Sequence, residues 1–173
     1  KAAVDSSIEA ADIERGVAVL LTGDGKGKSS SAFGMVLRAM GYGMKVGVVQ
    51  FIKGEQLSGE ELYLRDRFDK ADLYQMGTGF TWDTQDRSND IAAAKRTWGE
   101  AERMLSDASY DLVILDELTY MIAFSYLEEK RILDAIQHRP AEQSVVVTGR
   151  GGGSALRDIM DTVSEVKDVK HAF

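Results

Sequence analysis

The stretch Thr22-Gly-Asp-Gly-Lys-Gly-Lys28-Ser29-Ser30 decides the fold. It follows a short apolar run, Val17-Ala-Val-Leu-Leu-Thr22, which reads as a buried strand. It precedes Ser29 to Met40, where Phe33, Val36, Leu37 and Met40 recur on one helical face. Strand, glycine-rich turn, helix is the order a phosphate-binding loop needs. Glycines let backbone N–H groups converge on an anion without Cβ clashes, and the helix behind them adds its positive end. Lys28 would bring a full charge to phosphate oxygens and Ser29 a hydroxyl to Mg²⁺. Thr22 stands where the usual pattern begins with glycine. The bland alternative is a glycine-rich turn carrying solvated lysines, and the strand-turn-helix setting weighs against it. The expected ATP contacts are Gly23, Asp24, Gly25, Lys26, Gly27, Lys28, Ser29 and Ser30.

Working outward, Lys45 to Phe51, Ala71 to Gln75, Asp111 to Leu115, Ser144 to Thr148 and Val163 to Val166 read as further strands. Glu60 to Phe68, Asp86 to Leu105 and most of Leu118 to His138 read as helices, and Met76 to Thr84 as a loop. Unbroken apolar strands alternating with helices predict an α/β fold, a single-domain P-loop (RecA-like) architecture. Its sheet should be mostly parallel, with helices on both faces. Residues 16–173 form that domain. Residues 1–15 are a polar N-terminal segment with Val4, Ile8 and Ile13 spaced as on a short helix.

The composition narrows the function. A net charge of −7 weighs against broad binding to nucleic acid or to a membrane surface, both of which favour a basic face. The absence of cysteine removes disulfides, thiolate catalysis and iron–sulfur clusters. Two histidines, His138 and His171, do not make a multi-histidine metal site. No apolar run approaches the roughly 18–20 residues of a membrane span, and no signal-peptide pattern opens the chain, so a cytoplasmic enzyme is expected. The chain opens on Lys1 instead of Met, which leaves room for a native start upstream.

Three more stretches carry chemistry. Leu112-Val-Ile-Leu-Asp116-Glu117 ends an apolar strand in two carboxylates, which suits a metal partner for the phosphate loop; helix capping by Asp116 is the competing reading. One of Asp116 and Glu117 is expected to touch Mg²⁺ while the other orients a water. Gly77-Thr-Gly-Phe80-Thr-Trp82 sets two large aromatics in a glycine-bracketed loop, suited to a flat apolar ligand or a partner protein, or else to plugging the core. Thr148-Gly-Arg150-Gly-Gly-Gly153 places a guanidinium at another strand end, where it could meet phosphate or simply face solvent. Lys53 and Gly54 follow the second strand with a weaker version of the same logic.

Together these stretches resemble the P-loop corrinoid adenosyltransferases. The residues that carry the likeness are Thr22 to Ser30, Val46-Gly-Val-Val-Gln-Phe-Ile-Lys-Gly54, Gly77 to Trp82, Leu115-Asp-Glu-Leu-Thr-Tyr-Met121, Thr148-Gly-Arg150 and Val169-Lys-His-Ala-Phe173. The likeness runs from about Gly16 to the end of the chain. It implies that a Co(I) corrinoid, cobalamin or a precursor, attacks the 5′ carbon of ATP and releases intact triphosphate. Carried over by position, Ser29 and Glu117 are the magnesium partners with Asp116 supporting them, Lys28 and Arg150 meet phosphate, and Phe80 and Trp82 press on the corrin. The resemblance further implies a homodimer, whose N-terminal segment covers the neighbouring subunit's site, and a flavodoxin-like reductase as electron donor. Asp24 departs from the asparagine usual in the family, and Ser29 from its threonine. The rival readings are a P-loop kinase or NTPase acting on the γ-phosphate, and a non-catalytic corrinoid- or nucleotide-binding module.

Overall fold

The computed structural model describes residues 13–52, 58–67, 71–76 and 87–170, with Glu61 and Arg67 described in backbone only. Residues 1–12 of the N-terminal segment, Lys53, Gly54, Phe80, Trp82 and His171 lie outside the described residues.

The described elements are β1 (Ala18–Thr22), α1 (Lys28–Gly41), β2 (Val46–Gln50), α2 (Gly59–Arg67), β3 (Ala71–Gln75), α3 (Arg87–Ser106), β4 (Leu112–Asp116), α4 (Thr119–Ala123), α5 (Glu129–Gln137), β5 (Ser144–Thr148), α6 (Gly153–Asp158) and β6 (Thr162–Glu165). The six strands form one sheet in the order β3-β2-β4-β5-β1-β6, and every described pairing is parallel. Strand alternation divides the core into two layers. Leu20, Val49, Val113, Leu115, Val145 and Val147 face Trp98 of α3, Met121 of α4 and Ile132 and Ile136 of α5. Their neighbours Leu21, Val46, Val48, Leu112, Ile114 and Val146 face Phe33 and Val36 of α1 and Leu64 of α2. Both faces of the central strands are therefore dry, which is why the strands read as continuous apolar runs. The single α/β domain expected from the sequence is the fold observed.

Two elements differ from expectation. The run Leu118 to His138 is not one helix: α4 stops at Ala123, and α5 begins at Glu129. Ser125 takes a left-handed φ of 55° between them, and Tyr126 N–H returns to Met121 O at 2.9 Å. The turn lets Met121, Leu127, Ile132 and Ile136 all enter the same core layer. In addition, residues 13–17 are not helical, so no helix reaches Arg15.

The end of α3 is tied to the start of β5 by Gln143, which is 1% exposed. Its Nε2 lies 3.1 Å from Met104 O, 3.0 Å from Asp107 O and 3.2 Å from Tyr110 O. Met104 lies in the last turn of α3, and Asp107 and Tyr110 belong to the turn that leads from it to β4. Gln143→Met keeps the volume and removes the donor, so it should destabilise the protein by about 1–3 kcal/mol. Urea unfolding measures this, and an unchanged free energy would show that the carbonyls do not depend on Gln143.

Candidate functional site

The site forms where β1, β5 and β4 end side by side, at the carboxyl edge of the sheet. The loop after β1 is shaped by its glycines and by a later part of the chain. Gly23 and Gly27 adopt φ of 95° and 111°, conformations that side chains resist. A Cβ at Gly23 would overlap Val166 O, and one at Gly25 would lie 2.8 Å from the Lys167 backbone. Val166 N–H donates to Thr22 O and Gly25 N–H to Val166 O, each at 2.8 Å, while Lys26 N–H donates to Asp168 Oδ1 at 3.2 Å. Thr22, the departure from the usual leading glycine, is fully buried and donates its hydroxyl to Gly151 O at 3.3 Å. That bond joins the loop after β1 to the loop after β5.

At the N-terminus of α1, Gly27 supplies no side-chain cap and the first turn holds no acidic residue. The first N–H groups are thus left for an anion, with the positive end of a 14-residue helix behind them. Lys28 is 8% exposed and donates Nζ to Gly25 O at 2.7 Å, folding back over the loop. It makes no ion pair among the described residues. Gly25, Lys26, Gly27, Lys28, Ser29 and Ser30 line a cleft of about 200 Å³ together with Glu117, Tyr120 and Arg150. That volume is below the roughly 300 Å³ at which sites for whole drug-sized ligands begin, and it suits a phosphate chain.

The two carboxylates after β4 have different surroundings. Asp116 is 3% exposed and fully engaged, accepting from Gln50 Nε2 at 3.1 Å and from Thr148 Oγ1 at 2.7 Å. It does not cap α4, whose N-cap position is Leu118. Glu117 has a left-handed φ of 59°, which costs a non-glycine residue about 1–3 kcal/mol. Its N–H is held by Thr148 Oγ1 at 3.0 Å. Its Oε2 is buried with no hydrogen-bond partner among the described residues. Burial, and then the charge of Asp116, push the Glu117 carboxyl above the usual range; Lys28 and Arg150 pull the other way. An orphaned buried carboxylate oxygen beside a phosphate-shaped cleft fits a divalent cation, which would relieve both causes of the shift. The hydroxyl of Ser29 lines the same cleft. Among the described residues no cluster of three or more acidic or histidine side chains could hold a metal alone, so phosphate oxygens and water would complete such a site.

Arg150 lines the cleft from the loop after β5, with Nε 3.8 Å from Asp24 Oδ1 and Nη2 3.5 Å from Asp24 O. The Asp24 side chain is 92% exposed, so its carboxylate stays in solvent beside Arg150. Thr119 Oγ1 donates to Arg150 O at 2.7 Å and holds this loop from the other side.

The structure thus brings Gly25 to Ser30, Glu117 and Arg150 together, with Asp116 beneath Glu117 and Gly23 and Asp24 in the approach. The reading from sequence quoted Thr119, Tyr120 and Thr148 within longer motifs but gave none of them a role. Tyr120 lines the cleft and stacks on Phe124, with ring centroids 5.8 Å apart, and Phe124 continues to Tyr126 at 5.7 Å. The aromatic spacing Tyr120-Phe124-Tyr126 directly after the paired carboxylates was the available signal.

Comparison with known proteins agrees with this geometry. A family model described as ATP:corrinoid adenosyltransferase BtuR/CobO/CobP matches residues 14–173. A corrinoid adenosyltransferase of Pseudomonas aeruginosa is 54% identical over 173 residues, covering 100% of this chain and 85% of the relative. One from Escherichia coli K12 is 49% identical, covering 100% of this chain and 87% of the relative. The corrinoid adenosyltransferase CobA of Salmonella typhimurium is 47% identical over 170 residues, 98% of this chain and 86% of the relative. With nearly its whole length matched and its phosphate loop, paired carboxylates and Arg150 around one cleft, the chain belongs to the ATP:corrinoid adenosyltransferase family.

Proposed function

We propose that this enzyme transfers the 5′-deoxyadenosyl group of ATP to the Co(I) of a corrinoid and releases triphosphate. The observation that carries this is the cleft itself. It is sized and charged for a phosphate chain, in a chain of this family. In the reaction the cobalt electron pair forms the Co–C5′ bond while the C5′–O bond breaks. The oxygen keeps its pair and leaves with the triphosphate.

The protein's part is to hold that leaving group. The open N–H groups at the start of α1, the Lys28 ammonium and the Arg150 guanidinium face the cleft and stabilise the charge the triphosphate gathers. Bound Mg²⁺, held by Ser29 and Glu117, would add Lewis-acid neutralisation of that charge. Asp116 holds the turn that aims Glu117. On the corrinoid side, Phe80 and Trp82 are proposed to press on the ring and exclude an axial ligand, so that a flavodoxin-like protein can reduce Co(II) to Co(I). A homodimer, with residues 1–15 of one subunit covering the other's site, is part of the same reading.

Product analysis tests the proposal. With ATP, Mg²⁺ and prereduced cobalamin, triphosphate and a light-sensitive cobalt–carbon bond should appear; ADP or AMP in their place would mean phosphate chemistry. Trp82→Ala should keep much of this activity with prereduced corrinoid yet lose most of it with a flavodoxin-type donor. An equal loss in both assays would assign Trp82 to binding or folding instead.

Lys28→Ala removes a charge-assisted phosphate contact of about 1.5–3 kcal/mol, so kcat/KM should fall about ten- to over a hundredfold. Near-normal turnover in a folded variant would refute the role given to the loop.

Glu117→Gln should raise the Mg²⁺ requirement, because a neutral amide is a poorer ligand for a hard cation. Its effect on the metal-free protein has the opposite sign. A carboxyl raised in the folded state contributes stability below its unfolded value and loses it as pH rises through the folded one. At pH 7 the metal-free variant should therefore melt no lower than wild type, and a clear drop in Tm would contradict this account of Glu117.

A further inference from the structure

Beneath the cleft runs a chain of hydrogen bonds that the proposed chemistry does not yet use. Arg65 Nη2 of α2 donates to Gln75 Oε1 at 2.9 Å, and Gln75 Nε2 donates to Gln50 Oε1 at 2.7 Å. Gln50 Nε2 then donates to Asp116 Oδ2 at 3.1 Å. From the other side Thr148 Oγ1 donates to Asp116 Oδ1 at 2.7 Å and accepts the Glu117 N–H at 3.0 Å. The three central residues end neighbouring strands in exact register, Gln75 beside Gln50 and Gln50 beside Asp116. In-register positions of parallel strands send side chains to the same face, so the row is built by the sheet.

The chain has a direction. A guanidinium only donates, so Arg65 settles which end of the Gln75 amide faces outward. The Gln75 nitrogen must then point inward, and this orients the Gln50 amide in turn. Each bond polarises the next, in surroundings where Gln50 is 5% exposed and Asp116 3%. Asp116 is the terminal acceptor, with neither oxygen free to turn toward the cleft.

We propose that Gln50 and Gln75 are positioning residues for the metal–phosphate site. They fix Asp116 as an acceptor; Asp116 fixes the Thr148 hydroxyl, and that hydroxyl holds Glu117 in the left-handed turn that aims its carboxylate at the cleft. This inference rests on the proposed reading of Glu117 as a magnesium partner.

The test is Mg²⁺ titration of ATP binding by calorimetry, without corrinoid, in wild type, Gln50→Met, Gln75→Met and the double variant. Supporting partners of metal ligands are worth roughly 10–100-fold in metal affinity. Gln50→Met should therefore raise the half-saturating Mg²⁺ about tenfold, and Gln75→Met should raise it less, both with metal-free ATP affinity unchanged. Once Gln50 is gone, Gln75 has no route to Asp116, so the double variant should titrate like Gln50→Met alone; independent effects would multiply. Multiplying effects, or a Gln50→Met protein that titrates like wild type, would overturn the proposal. Gln75 is only half-buried, so Gln75→Met supplies the same comparison if Gln50→Met folds poorly. A wild-type protein whose ATP binding ignores Mg²⁺ would instead refute the metal reading itself, and the row's role would fall with it.

Discussion

The hydroxyl of Thr148 holds the site's geometry in place. It gives its proton to Asp116 and takes one from the backbone of Glu117. A left-handed glutamate directly after a buried strand is a conformation the local chain would not choose, since a φ of 59° crowds its own Cβ. The strain persists because the hydroxyl at the end of the adjacent strand catches the N–H at that point. Without it the Glu117 N–H would lose the hydrogen bond that offsets the strain of this turn. The loop after β5 depends on the same corner, through Thr119 to Arg150 O and Thr22 to Gly151 O. Three threonines, each near the end or start of a different element, set the directions of three loops.

The site also holds several unsatisfied groups together. Among the described residues, the first turn of α1 has no side-chain cap, the nearly buried Lys28 bonds only a carbonyl, and Glu117 Oε2 has no hydrogen-bond partner. Each would be a fault in a structure selected for stability alone. Their signs are complementary in one specific way: open donors and a cation for phosphate oxygens, and one free carboxylate oxygen for a cation that bridges to them. A ligand carrying both partners satisfies all three at once, so its binding and the stability of this corner are thermodynamically linked.

Much of the fold was legible because burial on both faces keeps the central strands apolar up to their last residue: Val46 to Val49 and Leu112 to Leu115 are buried at every position. The glycine turn between β1 and α1 was legible because its glycines and Lys28 lie within one short stretch. The turn at Ser125 was hidden, since no glycine or proline stands between Leu118 and His138 to mark it. Thr148 was hidden for a different reason. Its role exists only through Asp116, 32 positions earlier, and nothing in either neighbourhood announces the pairing. Asp24 looked like a misplaced charge beside a triphosphate, and its pairing with Arg150, 126 positions later, is not announced by its own neighbours.

The loop that opens the domain takes its shape from strand β6 and from Val166 to Asp168, more than 140 positions later. Proteins are made from the amino end, so on the ribosome the glycine loop emerges long before the segment it leans on. Until β6 is synthesised and docks beside β1, Thr22 O and Gly25 N–H lack their partner at Val166. The nascent chain can assemble β1 to β5 around their helices, but it has no finished cradle for a nucleotide. The shape of the glycine loop is therefore a property of the completed sheet, available only once the last strand has docked.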